Sequence, residues 1–162
     1  MLAELRSAPA LLVAPATTLP EGFAELAADA LADGHRLLEV LNEDWQAGAC
    51  RFDAPGEALF VVHAGRVLVG VGGLTRDPYA RTEPAARVRR LYVRRVARRH
   101  GAGAALLGAI VGQARRAGWD RLRVRAPVAA FPFYERAGFL RAVGEPAATH
   151  VFHLIPGAPG TP

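Results

Sequence analysis

The sequence predicts an α/β (α+β) domain: a central mixed sheet of about six to seven strands with a βαβ core, flanked by about four helices. Three observations carry this. An apolar run at 86–93 leads through Gly101-Ala102-Gly103 into a helical pattern, then into an alternating strand at 121–126. That order makes a βαβ unit with two parallel strands. Two further strands, Ala58–His63 and Val67–Leu74, are joined by Ala64-Gly65-Arg66, a short glycine-containing hairpin connection. Finally, two stretches with apolar residues at helical spacing precede that hairpin.

In chain order, Leu11-Leu12-Val13 reads as an edge strand. Thr17-Thr18-Leu19-Pro20-Glu21 reads as a helix start, with either threonine as cap and Pro20 near the first turn. Phe23, Leu26, Ala27, Ala30 and Leu31 follow at helical spacing up to Gly34. A second helix spans His35 to Gln46, with Leu37, Leu38, Val40, Leu41 and Trp45 as its apolar positions. Gly70, Gly72 and Gly73 are costly inside a strand and predict a bulge or a surface on which something packs closely. Thr75 to Pro84 reads as a polar loop. The helix from Gly103 to Ala117 carries an inward stripe of Ala104, Leu107, Ile110, Val111 and Ala114. A short helix at Ala129–Ala137, then strands at Phe139–Val143 and Thr149–Leu154, complete a single domain over 1–155. The Pro/Gly-rich tail 156–162 reads as disordered.

Composition narrows the function. The net charge is +5, and all basic residues are arginine. Arg87, Arg89, Arg90, Arg94, Arg95, Arg98 and Arg99 crowd together, a pattern that suits nucleic acid, an acidic substrate, a phosphorylated cofactor or a solvated face. No apolar run reaches the roughly 18–20 residues of a membrane span. The N-terminus, with Glu4 and Arg6, does not read as a secretory signal, and the single Cys50 fits a reducing, cytoplasmic setting. The five histidines show no metal-ligand spacing, so no metal is expected; the His150-x-x-His153 pair reads as structural. The sharpest feature is Arg98-Arg99-His100-Gly101-Ala102-Gly103-Ala104: a Gly-x-Gly turn at a helix start exposes amide N–H groups that, with the helix dipole, form an anion cradle.

Placed between Leu91-Tyr92-Val93 and Ala130-x-x-Phe133-Tyr134-x-x-x-Gly138-Phe139, this loop gives the chain its character. The sequence resembles the GNAT superfamily of acyl-CoA-dependent N-acetyltransferases over roughly 58–154, and Arg98–Gly103 matches the family's [Arg/Gln]-x-x-Gly-x-[Gly/Ala] loop at every defined position. The resemblance implies the GNAT fold and acetyl-CoA as cosubstrate. It implies that Leu91, Tyr92 and Val93 pair with the pantetheine arm where the strand splays from its neighbour. Arg98, Arg99, His100, Gly101, Ala102, Gly103 and Ala104 would form the pyrophosphate loop, and Tyr134 would be the general acid for the departing thiolate. The reaction implied is acetyl transfer to a primary amine of a small molecule or protein, by direct attack.

Three positions depart from the family pattern. Arg87 stands where many members carry a glutamate base, which leaves Glu83 (nearest in sequence), Asp77, His63, a water chain or an amine that arrives neutral. Pro127 replaces a frequent asparagine, and Arg94-Arg95-Val96 lacks the usual proline. Asp53 and Glu57 could face an acceptor or merely shape a turn, and Trp45 and Phe52 line either the core or the acceptor pocket. Two other readings stand beside the enzyme: a catalytically impaired CoA-binding relative, and a nucleic-acid-binding module using the Arg87–Arg99 cluster. The latter lacks the aromatic stacking pairs of single-strand binders. An exposed strand or helix edge would also allow a homodimer.

Overall fold

The computed structural model describes residues 9–154. Seven strands form one mixed sheet: β1 (Leu11–Pro15), β2 (Ala58–Ala64), β3 (Val67–Arg76), β4 (Ala86–Val93), β5 (Arg121–Val124), β6 (Leu140–Arg141) and β7 (His150–His153). They pair in the order β1-β2-β3-β4-β5-β7-β6. Only β4 and β5 are parallel, as the βαβ order requires. The helices are α1 (Phe23–Ala32), α2 (Leu37–Ala47), α3 (Ala102–Arg116) and α4 (Phe131–Arg136). The fold is therefore the expected mixed sheet with a βαβ core, its seven strands and four helices within the six to seven strands and about four helices the sequence predicts. None of the helices among the described residues is long and apolar enough to cross a membrane.

The sheet has a core on each face. Leu106, Leu107, Ile110 and Ala114 of α3 pack on Phe60, Val62, Leu74, Ala86, Val88, Leu122 and Val124. On the other face, Phe23, Leu26 and Ala30 of α1 and Leu38 and Leu41 of α2 cover Leu59, Val61, Leu68, Val71 and Tyr92. Phe52 belongs to this second core, and Trp45 packs against it. The glycines of β3 are explained by both predicted causes. A Cβ on Gly72 would stand 2.5 Å from Leu91 Cδ1, and one on Gly73 would stand 2.3 Å from Phe52 Cε1. The strand also meets a bulge on each side.

Several boundaries differ from the sequence expectation. Neither Thr17 nor Thr18 caps α1, which starts at Phe23 behind a left-handed Gly22; Pro20 instead accepts a turn hydrogen bond from the Phe23 N–H at 3.1 Å. The expected strand at 139–143 keeps only Leu140–Arg141, because the chain turns at Gly144 and returns. The last helix begins two residues late, behind a 3-10 turn at Val128–Ala130, with Pro132 in its first turn. The segment Thr75–Pro84 is not wholly a polar loop: β3 runs on to Arg76, and Thr75 and Asp77 are buried. The tail 156–162 lies outside the described residues.

Candidate active site

The parallel pair at the centre is short. β4 and β5 are in register only at Ala86↔Leu122 and Arg87↔Arg123. Beyond that, β5 leans towards β7, with Val124 opposite His150 and the Ala126 N–H bonded to Thr149 Oγ1 at 2.9 Å. The flank of β4 from Val88 to Val93 that faces β5 therefore has no strand partner, and a wedge opens between the two strands. On its other flank β4 carries a bulge. Val71 pairs with Tyr92 but Gly73 pairs with Arg89, so one residue of β3, Gly72, opposes two of β4, Arg90 and Leu91, and Arg90 takes a left-handed φ of 54°. The bulge frees backbone groups of Arg90–Leu91 from the ladder at the mouth of the wedge.

The wedge ends on the glycine loop. After a 3-10 turn at Arg95–Ala97, Arg99 and Gly101 both adopt left-handed backbone, at φ 65° and 90°, and α3 begins at Ala102 with no side-chain cap. Its first N–H groups thus have no side-chain cap, at the positive end of a fifteen-residue helix. Gly103 lies under α4: a Cβ there would be 3.1 Å from Phe133 Cε2 and 3.7 Å from Val93 Cγ2. One glycine thus brings the loop, the end of β4 and α4 into contact.

Tyr134 follows Phe133 on α4 and is 4% exposed. Its ring lies 5.0 Å from Phe133, 5.3 Å from Phe139 and 6.3 Å from His150, which is stacked on it. His150 is fully buried, held by Thr149 Oγ1 at 2.9 Å and Glu135 Oε1 at 3.3 Å. Burial alone pushes the Tyr134 phenol above its ordinary pKa, so the group holds its proton at neutral pH.

The crowded arginines are largely matched by carboxylates. Arg98 donates to Asp33 Oδ2 at 2.6 Å and to the Val93 carbonyl at 3.1 Å, and lies over the Tyr92 ring. Arg95 pairs with Asp29, which also accepts from the Arg95 N–H and, at 2.6 Å, from the Tyr92 hydroxyl. Desolvation opposes the Asp29 charge, yet these hydrogen bonds prevail and hold its carboxyl below the usual range; the Arg98 hydrogen bond does the same for Asp33. Both carboxylates belong to α1 and the turn after it, so they bolt α1 to the glycine loop. Arg99 and His100 stay exposed at its rim.

Arg87, at the start of the wedge, is buried. It donates to the Ala147 carbonyl at 2.8 Å and meets Asp77 Oδ2 at 3.4 Å, with Tyr79 stacked at 4.9 Å. Asp77 also meets Arg123 Nε at 3.4 Å, and Arg123 reaches Glu145 at 3.3 Å. Arg89 donates to Thr75 Oγ1 at 3.3 Å, and Arg90 faces Asp44 at 3.7 Å.

Residues 25–156 match the family described as acetyltransferase (GNAT) domain. The chain belongs to the GNAT acetyltransferase family. It is similar to a protein from Exiguobacterium sp. 255-15 described as a putative acetyltransferase, with 27% identity, TM-score 0.79, and coverage of 89% of this chain and 93% of that one. It is also similar in fold to a GNAT acetyltransferase of Staphylococcus aureus MU50, at 15% identity and TM-score 0.61 over 90% and 99% of the two chains. A mutant AtaT toxin, solved with the C-terminus of the antitoxin AtaR and acetyl-CoA, shares the fold at 18% identity and TM-score 0.62 over 89% and 93%. No curated protein sequence matches the chain. The GNAT match begins within α1 and so covers the two N-terminal helices as well as the region that carries the sequence resemblance.

As a GNAT transferase, the chain brings together Leu91, Tyr92, Val93, the 98–104 loop and, through Phe133, Tyr134. It does not bring Glu83 to them. That residue is exposed on the loop before β4, beyond the end of the strand opposite the wedge, and its carbonyl accepts from Arg121 at 3.0 Å. Asp77 is sealed between Arg87 and Arg123. His63 sits on β2, two strands from β4. Two features escape a reading of the sequence alone. The β4 bulge has a signal: the buried positions Ala86 and Val88 step by two, but the next residue on that face is Leu91, a phase slip of one. The Asp29 and Asp33 clamps have none, since acids on a polar helix face look alike.

Proposed function

We propose that the protein transfers an acetyl group from acetyl-CoA to a primary amine of a small molecule or a protein. The observation that carries this is the wedge between β4 and β5 ending on the left-handed Arg99–Gly101 turn. The chain fits a CoA thioester in three ways. The unpaired flank of Val88–Val93 offers backbone groups to an extended amide-bearing arm. The amides from Arg99 to Ala104 face outward for a pyrophosphate, with Arg99 and His100 at the rim. The Tyr134 phenol keeps its proton for a thiolate.

The amine nitrogen attacks the thioester carbonyl, and unpaired strand N–H groups between the Arg90–Leu91 bulge and Val93 polarise the carbonyl oxygen. The C–S bond then breaks, Tyr134 protonates the sulfur, and the proton shed by nitrogen restores the phenol through water. Positioning supplies much of the acceleration because the thioester is already activated. Arg87, Arg89 and Arg90 share the acceptor face of β4. Arg87 and Arg90 face Asp77 and Asp44, but Arg89 has no carboxylate partner among the described residues, and its charge disfavours an ammonium ion, so the acceptor reacts as the free amine. Glu83, on its exposed loop, would take the proton only through water.

A nucleic-acid-binding role is less well supported, because Arg87, Arg90, Arg95 and Arg98 face Asp77, Asp44, Asp29 and Asp33. Thiol release from acetyl-CoA over an amine panel tests the proposal. Turnover with wild type that falls about a hundredfold or more in Tyr134→Phe supports it. Binding of acetyl-CoA without turnover of any amine identifies the impaired relative instead.

A further inference from the structure

A groove of about 630 Å³ runs between the β3–β4 loop and the β6–β7 loop, on the same face of the sheet as Arg87 and Arg89. Its lining includes Tyr79, Arg81, Arg121, Arg123 and Glu145. The mechanism above makes no use of it.

The groove has an unbalanced charge. Arg87 and Arg123 share Asp77, and Arg121 and Arg123 share Glu145. Arg81 and Arg89 lie beside this cluster and have no carboxylate partner among the described residues. Guanidinium groups therefore outnumber the two carboxylates that face them. Arg123 is 4% exposed, and its Nε, though near both carboxylates, makes no well-directed hydrogen bond; neither does Arg121 Nε. Both loops are also held in place: Arg87 and Arg123 donate to the carbonyls of Ala147 and Pro146 in the β6–β7 loop, each at 2.8 Å, and Arg121 donates to the Glu83 carbonyl in the β3–β4 loop at 3.0 Å. The groove walls are thus tied to the sheet.

Its location connects it to the wedge. Arg123 lines the groove, and Arg87↔Arg123 is the last pair before β4 and β5 part. From Arg87 to the bulge at Arg90 is about 10 Å along the strand. A molecule with one end in the groove can extend its other end to the thioester.

We propose that this groove binds an acidic group of the acceptor, so that the acceptor class is an amine that also carries a carboxylate or a phosphate. The proposal rests on the acetyltransferase reading above and narrows it. Arginine suits both acids because its fork of donors matches their oxygens.

The test uses three matched series with the intact protein and acetyl-CoA: ω-amino acids from glycine to aminooctanoate, the corresponding n-alkylamines, and aminoalkyl phosphates. The wild type should favour at least one acid series over alkylamines by about tenfold in kcat/KM, a factor one charge-assisted hydrogen bond supplies. The preferred series identifies the acid. Arg81→Ala and Arg89→Met should erase the preference by raising KM for the acid series, whereas Arg66→Ala, on the remote β2–β3 turn, should keep it. Equal turnover of acids and alkylamines, or a parallel loss of both in the arginine variants, overturns the proposal. A calorimetric titration of glutarate into the CoA-loaded protein provides a second readout. Heat that disappears in Arg81→Ala supports the groove as an acid site, and no heat together with no turnover of any series rejects it. The parent reading fails separately, if acetyl-CoA itself does not bind.

Discussion

Gly101→Ala and Gly101→Val test whether the shape of the loop is what holds the cofactor phosphates. Gly101 has φ 90°, and a Cβ there would meet nothing closer than Leu11 Cδ1 at 3.9 Å. The cost of alanine is therefore conformational, about 1–2 kcal/mol for a left-handed non-glycine residue. If the loop keeps its shape, that energy lowers the melting temperature of the free protein by about 2–8 °C. Valine is branched at Cβ and does not tolerate the conformation, so the loop must relax and its amides must turn away. The same energy then weakens acetyl-CoA binding, with a Kd at least about tenfold higher. Gly108→Ala is the internal control. Gly108 is exposed in mid-α3, with nothing within 4 Å of the position a Cβ would take, and alanine should raise the melting temperature by roughly 2–4 °C through helix propensity. Calorimetry and thermal denaturation read both effects. A folded Gly101→Val protein that binds acetyl-CoA within about twofold of wild type would refute the cradle.

Asp77→Asn should leave Arg87 and Arg123 buried beside a neutral group and cost about 3–5 kcal/mol, a fall of roughly 10 °C in melting temperature; a change under about 2 °C would show that the cluster tolerates the loss. Because folding depresses the carboxyls of Asp29 and Asp33, their contribution is complete above the ordinary value of 3.8 and disappears as pH falls through the lowered folded values. The protection of α1 amides relative to their intrinsic exchange should therefore fall below that pH, and Asp29→Asn should flatten the dependence. Glu83→Gln should leave kcat/KM within about twofold, since an exposed side chain acting through water is replaceable; a larger drop would give Glu83 a direct role. Tyr134→Phe should lower kcat by a factor of about 100 or more, and the pH profile of the wild type should show no alkaline limb from the phenol in the neutral range, because burial raises its pKa.

The sequence pattern makes the order of elements legible because each element carries its own period. The βαβ unit, the 64–66 hairpin and the glycine loop follow from apolar spacing and turn residues near in the chain. The start of α1 is harder to place because Thr17, Thr18 and Pro20 offer good capping chemistry, while Gly22 supplies a backbone turn that needs no side-chain cap. Arg87 stands out in the sequence only as a missing glutamate. Its partners Asp77 and Ala147 come from loops 10 and 60 residues away, and such pairings leave no local trace. Likewise, the arginine crowd looks like one patch in sequence. In the fold it divides among α1 clamps at Arg95 and Arg98, the buried Arg87 cluster and the exposed Arg99.

Amide-resolved NMR during an acetyl-CoA titration tests the central claim most directly. The account predicts saturable one-to-one binding, with the largest shifts in the amides of Arg99 to Ala104 and of Val88 to Val93, and little change along β1 and β2. Absence of binding, or shifts centred away from the wedge and the glycine loop, would contradict it.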